Sequence, residues 1–554
     1  MELKMNEKVI LSNDDIFDKG GLRKVFVHPE DSSKIIKVSS FDDNGQNELE
    51  ASYYNHLRTQ KISYKHISKY FGEIETNLGH GVVFEKITNY DNTKCLDLEQ
   101  FIKQKIVSRS YLDELITELR DNILSNNILF YDVGLSNILS QEYEKNRYKL
   151  VIIDGLGGRY KENLNFHLRL KYKFLSIRKI KEQWDKFEKV FKNEADIVYD
   201  NIFLWDKYSD QPNIIKNGEF KKRVRKLHLN DFIKMIFTTI YVLPFSILFM
   251  KFFKGKIEVS NKDFIGLGVN LDKDDGKNTQ QDLIEELGVK NLIIRVPLED
   301  IENIEMYVDF AKSFNQKSKK NILINIIQNR ENLQNHALLR RNLENIFENF
   351  KNISDEYQVG TTINRLKWEI FSIKEDYIPM FEIAQSLKEQ KYSNIKLLGP
   401  SVIDFEYYYN ARAMFNLKKI KYDITSALLY VDRRGSPKNR QYGFFDLRNK
   451  IDLLYSLVRL SPKTLSDKIY ITETNYPISN TAPYAPTSEK ECVSLENYTK
   501  YMLEYFEIAK KSKKIRRVYW HQLIATGYGL VANRDGKIVK YPQYYAFKEM
   551  LKNK

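Results

Sequence analysis

The sequence predicts a multidomain chain: an α+β domain at the N-terminus, a basic and partly apolar connector, and an α/β (β/α)₈ TIM barrel at the C-terminus. Three observations carry this reading. The chain has 554 residues, and domains usually run about 100–200. From residue 259 onward, strand-like apolar runs alternate with helix-length intervals, the pattern of parallel βαβ units. The texture changes near residues 200 and 258, which divides the chain into 1–200, 201–258 and 259–554.

Composition narrows the classes. Hydrophobic residues make up 42% and aromatic residues 13%, enough for real cores, so collagen-like and wholly disordered chains are excluded. Two cysteines, Cys95 and Cys492, build neither a disulfide framework nor a cysteine-rich zinc site. The first fifteen residues lack the apolar centre of a secretory signal, so a cytoplasmic protein is expected. A net charge of +14, from 88 Lys+Arg against 74 Asp+Glu, suits an anionic membrane surface, phosphorylated substrates or nucleic acid, or reflects only the Lys bias of an AT-rich genome. No zinc finger, RNA-recognition pattern or Arg-rich arm is present, so no nucleic-acid partner is expected.

In residues 1–200, FDKGGLRKVFV places Gly20 and Gly21 between two strand-like pieces. Glycines there let backbone N–H groups approach phosphates, and a plain hairpin turn explains them equally well. KIIKV sets Lys37 at a strand end, in reach of α/β-phosphates, and NELEASYYNHL offers Glu50 on a helix to hold it. FYDVGLSNIL places Asp132 and Asn137 five residues apart, and LVIIDGLG ends a strand on Asp154 before Gly155. Lys37, Glu50, Asp132, Asn137 and Asp154 in this order form the pattern of a protein-kinase-like core using ATP and Mg²⁺. Asp132 would accept the hydroxyl proton, while Asn137 and Asp154 would hold Mg²⁺. The pattern departs from protein kinases: His-Arg-Asp reads Phe130-Tyr131-Asp132, Asp-Phe-Gly reads Asp154-Gly155-Leu156, and no activation segment is evident. A small-molecule or glycolipid hydroxyl is therefore the expected acceptor.

On RKVFVHPEDSSKIIKV, ASYYNHL and the SNIL that follows Asp132, the region from about residue 10 to 195 resembles the YrbL (PhoP regulatory network) proteins, a kinase-like family. The basic QWDKF stretch near Trp184 belongs to the match. The resemblance implies a two-lobed kinase-like fold, with working or degenerate catalysis.

The connector carries KKRVRK at 221–226, then the uncharged MIFTTIYVLPFSILFM at 235–250, then KFFKGK. Sixteen apolar residues fall short of the roughly 20 a spanning helix needs, and Pro244 interrupts them. Basic residues at both ends give no orientation. The expectation is a monotopic helix on an anionic membrane surface. A buried helix docking the domains and a true span are the alternatives. Peripheral association with the inner membrane face follows from the first reading.

The barrel region holds eight strand-like runs, at 264–270, 291–298, 321–327, 357–364, 395–403, 424–431, 468–474 and 517–524. Eight units fit a closed (β/α)₈ barrel of about 250 residues, with a doubly wound open sheet as rival. Barrel chemistry sits at strand C-termini. That rule selects Arg295 on strand two, Asn364 and Trp368 after strand four, and Asp432 with Arg433 and Arg434 after strand six. It adds Glu473 ending strand seven and Trp520 on strand eight.

On ITETNYP, LLGPSV and YPQYYAFKEM, this region resembles the clan A glycoside hydrolases, retaining (β/α)₈ enzymes. The resemblance implies Glu473 as nucleophile, Arg295 as its orienting partner and Trp520 as the aromatic platform beneath the sugar. Clan members end strand four with Asn-Glu, the acid/base; here Thr361 and Thr362 stand in their place. Retaining hydrolysis needs two carboxyl groups about 5–5.5 Å apart. Three readings follow: a barrel that binds glycans without cleaving them, one that uses another carboxyl such as Glu369 or Glu406, or one limited to substrates whose leaving group needs no acid.

The combined expectation is a bifunctional protein in cell-envelope polysaccharide or lipopolysaccharide metabolism. Its N-terminal part would phosphorylate a glycan or glycolipid hydroxyl with ATP, and its barrel would bind the sugar. A retaining glycosidase with a regulatory kinase-like domain, and a non-catalytic glycan-binding scaffold, are the rivals.

Overall fold

In a computed structural model of the chain, residues 8–12, 16–19, 23–39, 45–60, 62–158, 162–432, 435–534 and 536–552 are described. Gly20, Gly21, Arg433 and Arg434 lie outside them. The chain forms two compact units, Met1–Ile202 and Phe203–Lys554.

The first unit opens with an antiparallel five-stranded sheet of spatial order β1-β2-β3-β5-β4, built from β1 (Ile16–Lys19), β2 (Arg23–His28), β3 (Asp31–Ser39), β4 (Tyr70–Thr76) and β5 (Gly79–Glu85). Strand β3 is central, paired with β2 on one side and β5 on the other. Burial from both sides explains its run of Ile36, Lys37 and Val38. Helix α1 (Gln46–Thr59) buries Leu49, Glu50, Tyr53, Tyr54 and Leu57, a stripe of helical period. That stripe brings Glu50 inward with the apolar residues.

The second half of this unit is largely helical. It holds a three-stranded sheet of β6 (Leu96–Asp97), β7 (Ile138–Glu144) and β8 (Arg147–Ile152), with α2 (Leu98–Lys103), α3 (Arg109–Ser125), α4 (Leu164–Lys171) and the long α5 (Lys173–Tyr199). Asp97 caps α2 through the Gln100 N–H, and Ser108 caps α3 through the Tyr111 N–H, the residue types this position favours. Trp184, Phe187 and Phe191 on α5 join Phe130 and Leu135 in one core, so the loop carrying Asp132 rests on packed aromatics.

The second unit begins with a small hairpin, β9 (Trp205–Asp206) and β10 (Gln211–Pro212), followed by α6 (Gly218–Leu227) and α7 (Leu229–Phe249). Eight parallel strands then close into a barrel. They are β11 (Ile265–Val269), β12 (Asn291–Pro297), β13 (Asn321–Ile327), β14 (Glu356–Val359), β15 (Lys396–Ile403), β16 (Ile424–Leu428), β17 (Ile469–Ile471) and β18 (Arg517–Trp520). The closing pair is β11 with β18, which excludes the open sheet. Ile293, Leu323, Leu398, Ile424, Tyr470 and Tyr519 form the inner layer, while the outward residues of the same strands pack on the helices. Strand alternation produces both sets.

Two expectations change here. β14 stops at Val359, so Thr361 and Thr362 lie in the loop beyond it, with Thr362 in the left-handed region at φ 50°. Pro244 does not interrupt α7, which runs unbroken for 21 residues. Its ring falls on an exposed position, where the one lost i→i−4 bond leaves its acceptor open to solvent. Among the described residues α7 is the one helix long and apolar enough to cross a membrane by length and composition.

Candidate functional site

In the first unit, a buried charge cluster joins sheet, helix and loops. Lys37 Nζ lies 3.2 Å from Glu50 Oε1, donates to the Ile153 carbonyl at 2.6 Å and sits 4.4 Å from the centre of the Phe84 ring. Lys37 and Glu50 are both buried. Asp154 follows β8; its Oδ1 accepts from the Gly155 N–H at 2.7 Å. Asp132 and Asn137 come from the loop before β7, where Asn137 Nδ2 donates to the Asp132 carbonyl at 2.9 Å. The two loops are stitched by the N–H groups of Tyr131 and Asp132, which both donate to the Gly155 carbonyl at 2.8 and 3.0 Å. Gly155 adopts φ 81°, and a Cβ there would stand 2.7 Å from the Asp132 carbonyl oxygen. Only glycine permits this approach.

The structure thus gathers Lys37, Asp132, Asn137 and Asp154 on one cavity of about 540 Å³, with Glu50 behind Lys37. The sequence reading missed Arg23. It donates to Glu50 at 2.5 Å and to Asp154 Oδ1 at 2.6 Å, so one guanidinium bridges the two carboxylates. Burial opposes the charge on Asp154, but Lys37 and Arg23 beside it prevail and hold its carboxyl well below the usual range. Burial likewise opposes the charge on Arg23, and Glu50 and Asp154 overcome that too, raising it.

In the barrel, Glu473 sits two residues past β17. Arg295 Nη2 donates to its Oε2 at 2.7 Å and the Tyr430 hydroxyl to its Oε1 at 2.7 Å. Burial works against a charged Glu473, yet His521, Arg295 and Tyr430 together bring its carboxyl down to about 2. Glu473, Thr362, Tyr430, His521 and Trp368 line one cavity of about 190 Å³. A threonine therefore stands on the Glu473 pocket where the resemblance places a carboxyl.

The hairpin β9–β10 reaches across this mouth. Asp210 Oδ1 meets Lys273 Nζ at 2.7 Å; its Oδ2 accepts from Gln522 Nε2 at 2.7 Å and from the Tyr528 hydroxyl at 2.6 Å. Its carbonyl accepts from Arg295 Nη1 at 3.0 Å. Gln211 accepts from Lys367 and donates to the Pro486 carbonyl, and Trp205 packs edge-on against Trp368. Desolvation and Asp272 raise Asp210, against the pull of Lys273. On the other side of Trp368 and Arg295 lies a cavity of about 420 Å³ with Glu369 in its wall. Burial lifts the Glu369 carboxyl to about 7, although the Arg330 N–H donates to it.

Three expected sugar contacts stand elsewhere. Trp520 is no platform: it is fully buried, points outward from β18 among Tyr476, Tyr498 and Phe506, and donates from Nε1 to the Tyr498 hydroxyl at 2.7 Å. The alternation that turns Trp520 outward brings His521 to the mouth. Asn364 bonds Ile403 and Glu406 and faces a different cavity, so it ties loops together. Glu406 is also paired with Arg365 at 2.6 Å. Asp432 lines a neighbouring cavity of about 380 Å³ with Tyr430 and Lys450. Tyr430 lies in the strand-six run 424–431, and strand alternation was the signal available for it and for His521. Asp210 and Arg23 carried no such signal.

Residues 9–192 match the family described as PhoP regulatory network protein YrbL. The uncharacterized YrbL proteins of Escherichia coli K12 and Shigella flexneri are each 28% identical over 182 residues, 32% of this chain and 85% of theirs. Among solved structures, a GH30 endoxylanase from Clostridium papyrosolvens C71 matches with a TM-score of 0.38 at 11% identity, over 54% of this chain and 72% of that one. A monomeric β-xylosidase from Caulobacter crescentus CB15 matches with 0.39 at 12%, over 53% and 69%. The GH39 enzyme from Xanthomonas axonopodis pv. citri matches with 0.38 at 12%, over 53% and 67%. An N-terminal region that resembles the YrbL family is thus followed, in one chain, by a closed eight-stranded parallel barrel.

Proposed function

We propose that the first unit is a kinase-like phosphotransferase acting on a small-molecule or glycolipid hydroxyl, and that the barrel holds the sugar of a cell-envelope glycan. The observation that carries the first half is the convergence of Lys37, Asp132, Asn137 and Asp154 on one cavity, with Glu50 bonded to Lys37 from behind. A cavity of this size suits a nucleotide.

Asn137 and Asp154 supply oxygen ligands of the kind Mg²⁺ takes, which binds through one or two carboxylates plus substrate phosphates. When bound, Mg²⁺ and ATP supply the transferable γ-phosphoryl group and neutralise its charge. Lys37, fixed by Glu50, binds the α/β-phosphates. Asp132 accepts the proton of the acceptor hydroxyl. Arg23 bonds both Glu50 and Asp154 and so screens the two carboxylates from each other, and Asp154 would hold the cation through its carboxylate.

In the barrel, Glu473 is held ionised by Arg295, His521 and Tyr430, and Thr362 offers no proton for a leaving group. This favours sugar binding over cleavage. The test for the first unit is a thermal-shift titration with Mg·ATP on the full chain, in wild type, Lys37→Met and Asp154→Asn. Binding raises stability by about 2.7 kcal/mol at a hundredfold excess over Kd. A Mg²⁺-dependent shift absent from both variants is the expected result, and no shift at millimolar ATP refutes the phosphotransferase. Aryl glycoside turnover that Glu473→Gln abolishes would replace the binding barrel by a glycosidase.

A further inference from the structure

Helix α7 has two opposite stripes. Met235, Val242 and Ser246 face inward, Val242 joins the barrel core, and the helix lies against the barrel helices Tyr407–Met414 and Leu447–Leu460. The other stripe is Ile233, Phe237, Ile240, Tyr241, Phe245 and Leu248, at helical spacing. Phe237, Ile240 and Tyr241 are 68%, 66% and 72% exposed. A row of large apolar side chains open to solvent marks an interaction surface.

The charges around it choose the partner. Lys222, Arg225 and Lys226 precede the stripe, Lys234 lies on the helix, and Lys254 and Lys256 follow; all are exposed. Between residues 220 and 257 the sole acidic residue is Asp231, and it is buried. It accepts from Arg412 Nε and the Ser372 hydroxyl at 2.7 Å each, and from the Lys374 N–H at 3.0 Å. An apolar stripe framed by cations, in a segment from 220 to 257 that carries no exposed anion, complements an anionic lipid surface. A second copy of the same face would set like charges against each other.

The fastening decides the geometry. Asp231 pins the start of α7 to the barrel. At its far end Lys251 pairs with Asp452 at 2.8 Å, and Lys514 donates to the Met250 carbonyl. A helix held along its length against a barrel wall presents one side, so a transmembrane span would have to break every one of these bonds. We propose that the α7 stripe is a membrane-docking face that lies flat in the headgroup region of an anionic bilayer, with its basic flanks on the lipid charges.

The test is co-sedimentation of the full chain with vesicles of phosphatidylcholine plus phosphatidylglycerol, against phosphatidylcholine alone. The expected result is binding to the mixed vesicles that salt weakens. It falls about a hundredfold in Phe237→Ser/Ile240→Ser/Tyr241→Ser and loses its dependence on phosphatidylglycerol in Lys222→Glu/Arg225→Glu/Lys226→Glu. Circular dichroism of the variants checks that the fold is retained, as expected for exposed positions. The proposal is overturned if the wild-type chain ignores both vesicle types, or if neither variant changes binding. It is equally overturned if light scattering shows a dimer that the serine variant dissolves, which makes the face a contact between copies.

Discussion

Replacing Glu473 by Gln should reshape the acid limb of the barrel's stability. The Glu473 carboxyl falls from its ordinary 4.5 to about 2. At about 1.36 kcal/mol per tenfold change, that is worth about 3 kcal/mol. The side chain is nearly buried, so solvent screening removes little of it. A carboxyl depressed in the folded state contributes its full stability above the unfolded value of 4.5 and loses it as pH falls towards 2. Gln keeps the shape without the charge. Wild type should therefore exceed Glu473→Gln by about 3 kcal/mol at pH 6, and the two should converge near pH 2. Urea unfolding followed by tryptophan fluorescence reads this out, because Trp205, Trp368 and Trp520 lie in the barrel unit and Trp184 alone in the other. A difference that stays constant from pH 6 down to pH 2.5 would refute the account. The carboxylate would then owe nothing to Arg295, His521 and Tyr430.

Glu369→Gln should show the opposite slope. The carboxyl is raised to about 7, so its contribution is present below 4.5 and lost as pH rises through 7. The variant should gain about 3 kcal/mol on wild type between pH 4 and pH 8, by the same urea assay. Arg23→Gln removes the bridge between Glu50 and Asp154 and leaves the buried Glu50 and the partly exposed Asp154 with one ammonium. Loss of a buried partner costs about 3–5 kcal/mol, to be seen as faster hydrogen exchange over residues 46–57. Trp520→Ala should cost about 3–5 kcal/mol as a core truncation. Glycan affinity per folded molecule, measured by calorimetry, should stay unchanged, whereas a platform residue would abolish it.

Much of this fold was legible before the structure because it rests on periodicity. Eight apolar runs with helix-length gaps are the barrel, and each observed strand lies within or next to a run. Strand ends were less legible: TTIN continues the β-branched composition of β14, but Gly360 at φ 82° turns the chain out of the sheet first. Which way a side chain points at a strand end needs register, so Trp520 was read inward and His521 passed over. Lys37, Glu50, Asp132, Asn137 and Asp154 were legible as a set because order and spacing add information that single residues lack. Arg23 was not, since in a chain with 88 Lys and Arg one more basic residue on a strand carries no signal. The β9–β10 hairpin was invisible for a different reason: two-residue strands have no period to detect, and Asp210 acquires its meaning only from Lys273, Arg295, Gln522 and Tyr528, which are distant in sequence.

That hairpin also bears on the space the barrel offers a ligand beside Glu473. An open barrel mouth is a trench, along which a polymer can lie with residues on either side of the reacting centre. Here one wall of the mouth is built over, from the Trp205–Trp368 contact to the Asp210 cluster, and the space beside Glu473 is a cavity of about 190 Å³ that shares Arg295 and Trp368 with one neighbouring cavity and Tyr430 with another. On the proposed reading of the barrel as a sugar-binding unit, this wall would leave room for about one sugar beside Glu473 and confine any further residues to the neighbouring cavities.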